Sequence, residues 1–212
     1  MKIPAPLRAV MFDLLTGLVD SWSLWNDVAG GEAAGRAWRA EYLRLTYGQG
    51  AYRPYEAIVA DAARMAGLDV ALAGQLSARW GELQPWPEAS RVLAELRGRG
   101  LRLAVATNCS EVMGHAAAAV VGVPFDVVVT AERAGFYKPR PEPYRFALAE
   151  LGHEAQQVLF LAGSPSDIAG AHGTGMPVVW HNRIGLPRPA STPGLVAETR
   201  SLADLLDLTT AP

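Results

Sequence analysis

The feature that most restricts the fold is the spacing of short apolar runs. Ala9 to Phe12, Leu101 to Ala106, Val127 to Val129, Val158 to Ala162 and Val178 to Trp180 are too short for helices and show no polar alternation, as expected of strands buried on both faces. Stretches of helical periodicity separate most of them. Pro87 to Arg99 puts Val92, Leu93 and Leu96 on one face, with Pro87 in the first turn and Gly100 past the end. Pro141 to Leu151 repeats the pattern, with Phe146, Ala147, Leu148 and Leu151 apolar and Gly152 as the stop. Buried strands alternating with helices predict an α/β protein with a doubly wound parallel sheet.

One interval breaks the alternation. Between Asp13 and Leu101 more than eighty residues pass without a convincing strand, whereas Trp22 to Tyr47, Tyr55 to Ala66 and Val70 to Gly81 read as helix. A βαβ crossover needs far fewer residues. The expectation is a helical cap over residues 17–86, inserted after the first strand, with residues 1–16 and 87–212 forming the core and Gln84-Pro85-Trp86-Pro87 as the return linker. There is no internal repeat, and Thr209 to Pro212 reads as a disordered tail.

Composition removes several classes of function. With 50% apolar and 19% charged residues the chain can bury a large core, and 19 Lys+Arg against 21 Asp+Glu leave no basic footprint for nucleic acid. No polybasic segment suits a membrane surface, no apolar stretch reaches the length of a span, and Met1 to Arg8 is too short and too broken by prolines for a signal peptide. A soluble, cytoplasmic protein is expected. Cys109 is the single cysteine, which excludes an intrachain disulfide and a cysteine zinc site, and with no neighbouring histidine it reads as a passenger thiol. His115, His153, His172 and His181 show no ligand spacing and default to structural roles.

Four positions carry candidate chemistry at or just beyond strand ends. Asp13 closes the first apolar run, where open α/β sheets place their sites. Thr107-Asn108-Cys109-Ser110 follows the second run and opens a helix, so its amides and hydroxyls suit an anion. Lys138 stands between prolines in Tyr137-Lys138-Pro139-Arg140-Pro141, and Asp167 follows Gly163-Ser164-Pro165-Ser166. A carboxylate nucleophile needs a cation such as Lys138 to hold it and to offset repulsion from an anionic substrate. Each residue alone has a plain alternative: a turn cap for Asp13, a solvated charge for Lys138, helix capping for Thr107 and Asn108. Convergence in one chain favours a site.

These residues, in this order and spacing, resemble the haloacid dehalogenase superfamily over essentially the whole chain. Its motifs appear as Phe12-Asp13 with Thr16-Gly17, Thr107-Asn108, Lys138-Pro139, and Gly163 to Ile168. Within it the chain is most similar to L-2-haloacid dehalogenases, through Trp38-Arg39, the spacing of Lys138 to Tyr144, and Trp180 to Pro187. The resemblance implies a Rossmann-like core, a homodimer formed through cap helices, and a small anionic substrate of the 2-haloacid kind. It also implies that Asp13 displaces halide to form an aspartyl ester that water hydrolyses. Arg39 and Asn108 would receive the halide, Thr107 the substrate carboxylate, with Thr16 and Ser164 also at the substrate. Lys138, Tyr144 and Asp167 would orient Asp13 and the water.

Leu15 and Gly163 sharpen the implied chemistry. Phosphatases of the superfamily use an acid two residues after the nucleophile to protonate an alkoxide, whereas a halide leaves without a proton. They also carry a magnesium-binding carboxylate where Gly163 stands, so no metal and no cofactor is expected, magnesium entering only under a phosphatase alternative. A non-catalytic binding protein that kept the fold is the other alternative. Several positions depart from the dehalogenase pattern: Thr16 comes one residue before the expected threonine, which is Gly17. Ala162 and Ser164 replace a serine and an asparagine, and Leu15 and Ser166 replace aromatic residues. On the cap, Arg39 shares its helix with Arg36 and Arg44 and reads alternatively as part of a charged face. Trp22, Trp25 and Trp38 read as cap core or as the cap–core interface, with an apolar pocket wall as the alternative.

Overall fold

The computed structural model describes residues 6–209; Met1 to Ala5 and residues 210–212, on which the leader and tail expectations partly fall, lie outside it. Thr209 itself is placed in a turn, its hydroxyl donating to the Leu205 carbonyl at 2.7 Å, against the reading of a tail from that residue onward.

Six parallel strands form the main sheet: β1 (Ala9–Phe12), β4 (Arg102–Thr107), β5 (Val127–Thr130), β6 (Val158–Ala162), β7 (Val178–His181) and β8 (Leu195–Thr199). Their spatial order is β5-β4-β1-β6-β7-β8, so the winding reverses beside β1. Both neighbours of β1 are in register with it, Ala9 facing Arg102 on one side and Val158 on the other. In such sheets the crevice at the carboxyl ends of the two strands flanking the reversal is the usual place for a ligand. Asp13 follows β1 and Gly163 to Asp167 follow β6, so the topology brings them together there.

Alternation along the central strand feeds two apolar layers. Val10 and Phe12 pack in a cluster with Ala89, Val92, Leu93 and Leu96 of α5 (Ala89–Gly98), Ala117 of α6 (Glu111–Ala119) and Leu205 of α10 (Asp204–Leu208). Ala9 and Met11 face the other cluster, with Tyr144, Ala147 and Leu151 of α8 (Pro141–Leu151) and Ile168 and Ala171 of α9 (Pro165–His172). A short helix, α7 (Ala131–Ala134), follows β5. Helix α8 starts with proline in its first turn and stops at Gly152, whose φ of 67° is left-handed.

Between β1 and β4 the chain is helical: α1 (Ser21–Val28), α2 (Glu32–Gly48), α3 (Tyr55–Met65), α4 (Ala71–Ala78) and a short 3₁₀ turn at Trp80–Glu82. The segment leaves and returns through a two-stranded antiparallel pair, β2 (Val19–Asp20) and β3 (Gln84–Pro85). Two features differ from the sequence reading. The helix expected over Trp22 to Tyr47 is two helices, broken at Ala29 to Gly31, where Gly30 takes φ 80°. The sheet also gains β8, a partly exposed edge strand whose Leu-Val-Ala-Glu-Thr sequence carries a weak strand signal. No helix among the described residues is long and apolar enough to cross a membrane.

Candidate active site

Asp13 sits one residue past β1, 7% exposed, in a tight turn. Its Oδ2 accepts from the Thr16 hydroxyl at 2.6 Å, the Gly17 amide at 3.2 Å and the Thr16 amide at 3.3 Å. The shifted threonine is thereby explained: a Cβ on Gly17 would lie 2.2 Å from the Asp13 carbonyl oxygen, so only glycine closes the turn, and Thr16 supplies the hydroxyl. The other oxygen, Oδ1, accepts from Lys138 Nζ at 2.7 Å, and the same ammonium donates to Asp167 Oδ2 at 3.0 Å. Tyr144, fully buried on α8, donates to Asp167 Oδ1 at 2.7 Å. Asn108 braces the lysine, accepting from the Lys138 amide at 2.7 Å and donating to its carbonyl at 3.0 Å.

The two carboxyl groups are pushed in opposite directions. Burial is the largest influence on Asp13 and opposes its charge, but the charge and hydrogen bond of Lys138 with the Thr16 bonds together hold its pKa below the ordinary value. For Asp167 burial wins over Lys138, with the nearby Asp13 adding to it, and its pKa is raised. Burial disfavours the Lys138 ammonium, but the two carboxylates outweigh it and raise its pKa.

The cap supplies a second cation. Arg39 on α2 is 3% exposed, stacks 4.2 Å from the Trp22 ring centroid, and donates through Nη1 to Ser21 Oγ at 2.7 Å. Ser21, fully buried, donates in turn to the Leu15 carbonyl, which ties the guanidinium to the turn carrying Asp13. Arg39 Nε is buried without a partner, and the residue makes no ion pair among the described residues. Arg36 and Arg44, by contrast, are exposed and paired with Glu32 and Glu41, so the charged face of α2 does not include Arg39.

Asp13, Lys138, Asp167, Arg39, Thr16, Ser164, Asn108 and Thr107 all line one cavity of about 250 Å³ between cap and sheet. Their hydroxyls are not all turned to it. Thr107 is fully buried with its Oγ1 3.4 Å from Cys109 Sγ; Thr16 is spent on Asp13; Ser164 caps α9 by accepting from the Ser166 amide and meets Tyr47 Oη at 2.9 Å. Cys109 is buried, its thiol pushed up to about 12 by burial, as suits a passenger. Leu15 and Ser166 both line the cavity, as does Trp22, while Trp25 and Trp38 pack on each other at 4.8 Å. Sequence reasoning missed Ser21, Tyr42 and Tyr47. Tyr42 and Tyr47 lie three and eight residues after Arg39 on α2, a helical spacing that places Tyr42 on its face; Ser21 carried no signal. His181 was expected to be structural, and its Nδ1 lies 2.9 Å from the Gly17 carbonyl, supporting the Asp13 turn from behind.

The residues do not suit a magnesium ion. A Cβ on Gly163 would stand 2.2 Å from Thr16 Oγ1 and 2.5 Å from Asp13 Oδ2, so a carboxylate has no room there, and the two existing carboxylates already share Lys138.

Fold and cluster place the protein among the capped α/β hydrolases. The chain belongs to the haloacid dehalogenase-like hydrolase family, whose sequence pattern matches residues 23–175. It is 29% identical to an (S)-2-haloacid dehalogenase of Pseudomonas putida, over 95% of this chain and 97% of that one. With a haloacetate dehalogenase of Moraxella sp. (strain B) the identity is 30%, over 84% and 87% of the two chains. The crystal structure of an L-2-haloacid dehalogenase superposes with a TM-score of 0.88 at 28% identity, covering 98% of this chain and all of that one.

Proposed function

We propose that the protein is a metal-independent 2-haloacid dehalogenase working through an ester on Asp13. The observation that carries this reading is the buried, unpaired guanidinium of Arg39 in the same cavity as an ionised, lysine-held Asp13. A buried cation without a counter-ion calls for an anion, and a carboxylate kept deprotonated beside it is suited to attack carbon. The dehalogenase relatives support the same assignment.

In the proposed reaction an Asp13 carboxylate oxygen attacks C2 of the acid while the carbon–halogen bond breaks, and the halide leaves with the bonding pair toward Arg39. Substitution at carbon inverts C2. Water then adds to the Asp13 carboxyl carbon, the acyl–oxygen bond breaks, and a 2-hydroxy acid is released with the carboxylate restored. Asp167, whose proton affinity is raised, takes the water's proton and returns it to the departing C2 oxygen, while Tyr144 and Lys138 hold the carboxyl in place; the second proton of the water leaves as the Asp13 carboxylate is restored. Buried Leu15 offers no proton, and a halide requires none. Asn108 keeps one amide hydrogen for halide or substrate, and the backbone amides after Thr107 receive the substrate carboxylate, the Thr107 hydroxyl being turned to Cys109. Ser164 acts through its cap of α9, and Thr16 through Asp13. The working division is a core of residues 1–16 and 87–212 and a cap of 17–86, which the β2–β3 pair at the junction supports.

A single turnover with 2-chloropropionate in ¹⁸O-labelled water tests this directly. Label is expected in the peptide containing Asp13 and halide in solution; label only in the product, or no halide at high enzyme concentration, would sink the reading. Turnover of p-nitrophenyl phosphate on adding magnesium would favour a phosphatase instead.

A further inference from the structure

We propose that Tyr47, reaching from the cap to the segment after β6, holds the water that hydrolyses the Asp13 ester, together with the hydroxyls of Ser164 and Ser166. The inference rests on the dehalogenase reading and adds to it a residue that acts only in the second half of the reaction.

Three hydroxyls meet at this part of the cavity wall. Tyr47 Oη lies 2.9 Å from Ser164 Oγ, and the Ser166 hydroxyl also reaches the phenol. Ser164 Oγ accepts from the Ser166 amide at 3.3 Å, a contact that uses no hydroxyl proton. The three hydroxyls carry three protons and use two in bonding to one another, so one is left to donate. No other acceptor takes it among the described residues, and all three side chains line the cavity. Burial and the charge of Asp167 raise the Tyr47 pKa, so the phenol keeps its proton and acts as a neutral donor.

The cluster stands where the water has to be. Gly163, just before Ser164, abuts the nucleophile: a Cβ there would lie 2.5 Å from Asp13 Oδ2. Asp167 follows Ser164 by three residues, in the first turn of α9. A water placed between the Asp13 carboxyl carbon and Asp167 therefore has the hydroxyls beside it. Bonded to Asp167 alone, that water could turn about a single contact; a second bond, from a hydroxyl, fixes the direction of its attacking lone pair. Tyr47 gives up no proton in this step. The water's proton goes to Asp167, and the hydroxyl bond only orients the oxygen.

The phenol is carried on an anchored end of α2. Just beyond it the Tyr52 amide donates to the Gly135 carbonyl at 2.7 Å, the Tyr52 ring stacks on Tyr137 at 5.5 Å, and Ala51 bridges to Phe136. These contacts tie the Tyr47 end of the cap to the segment that leads into Lys138.

Acid-quenched reactions with saturating 2-chloropropionate test the assignment, halide release in the first turnover and the fraction of Asp13 held as ester being read from the same samples. Tyr47→Phe removes only the hydroxyl. It is expected to release halide at the parent rate, to lose its ester roughly tenfold more slowly, on the scale of one hydrogen bond, and so to accumulate the ester. Ser164→Ala is expected to slow the same step and carries the test should Tyr47→Phe fail to fold. An unchanged ester fraction overturns the inference, as does halide release that slows as much as ester decay or more, which would put Tyr47 at the substrate instead of the water. Both results leave the dehalogenase reading standing, because halide is still released. Neither halide nor ester from the unaltered protein overturns that reading and this inference with it.

Discussion

Lys138 is the residue on which the local electrostatics turn. Its ammonium, 2% exposed, is shared by two buried carboxylates, and without it the burial of Asp13 is opposed by the Thr16 and Gly17 hydrogen bonds and the charge of Arg39. Lys138→Met is therefore expected to move the acid limb of the pH–rate profile for ester formation to higher pH; an unmoved limb would show that Asp13 is not held by this lysine. The three groups also differ in how they link stability to pH. Asp13, with its pKa depressed, adds stability above the ordinary 3.8 that is lost as pH falls through its folded value. Asp167, with its pKa raised, has the opposite sign and weakens the fold as pH rises through its folded value. Lys138 adds stability below its ordinary 10.5 that is lost as pH climbs through a folded value above it. Breaking such a buried set by removing one partner costs about 3–5 kcal/mol, so Lys138→Met should also unfold well below the parent temperature in a thermal melt.

Ser21 provides a second test at this scale. It holds Arg39 to the Leu15 carbonyl and touches no part of the reacting carbon. A hydrogen bond to a charged group is worth about 1.5–3 kcal/mol, so Ser21→Ala should raise KM for a 2-haloacid roughly tenfold or more. A smaller fall in kcat is expected. An equal loss in kcat with KM unchanged would mean that Ser21 positions the nucleophile and not the anion's partner.

At the scale of elements, α2 matters most, because it carries Arg39, Tyr42, Leu43 and Tyr47 toward the sheet. Its seat is set by Gly35, where a Cβ would lie 2.6 Å from Asn26 Cα and 2.3 Å from Asn26 Oδ1, so the backbones of α1 and α2 approach closely at that point. Gly35→Ala must push the helices apart, at about 1–3 kcal/mol for an overpacked site. That corresponds to a fall in Tm of about 2–4 °C per kcal/mol for a chain of this size. Because Arg39 lies one turn further along the same helix, weaker binding of the anionic substrate should accompany the fall; a lower Tm with an unchanged KM would show that α2 slides without carrying its arginine.

Elements also show where the sequence was readable. The central strands β1 and β6 match their apolar runs because both faces are covered, and α8 matches because its proline and glycine mark its ends. Edge strand β8 has one neighbour and three half-buried residues, so its sequence lacks the continuous apolar signal. The break falls on the Gly30-Gly31 dipeptide, a local signal flanked on both sides by helical periodicity. Asp13 was legible at the end of a strand, and Lys138 and Asp167 in the segments beyond β5 and β6, whereas Ser21 and Tyr47 act through contacts with residues 18 and 117 positions away and leave no local pattern.

For the molecule as a whole, the cap is part of the same apolar body as one face of the sheet. The cluster that starts at Val10 and Phe12 continues through Leu14, Leu18 and Val19 into Trp25, Trp38, Tyr42, Tyr55 and Trp80. Hydrogen bonds fasten the rim: Trp80 Nε1 to the Met113 carbonyl at 2.9 Å, Ser110 Oγ to Glu56 at 2.6 Å, Tyr137 Oη to the Arg53 carbonyl at 2.7 Å, and Tyr42 Oη to the Asn108 carbonyl at 2.8 Å. A cap joined only by its two linkers would swing as a unit and melt by itself, but separating this one would expose the indole and phenol rings and strand several buried polar groups. Cap and core are therefore expected to unfold in one transition, with equal calorimetric and van't Hoff enthalpies. Amide protons of α2 and α3 should exchange as slowly as those of β1. Two resolved transitions, or cap amides that exchange far faster than the central strand, would show a cap that opens independently. With the cap held in this way, substrate is expected to reach Asp13 past the exposed Pro187 and the half-buried Leu186, which line the cavity, rather than through an opening of the whole interface. Substitutions at that lip should then alter KM and the rate of product release before they alter the melting temperature.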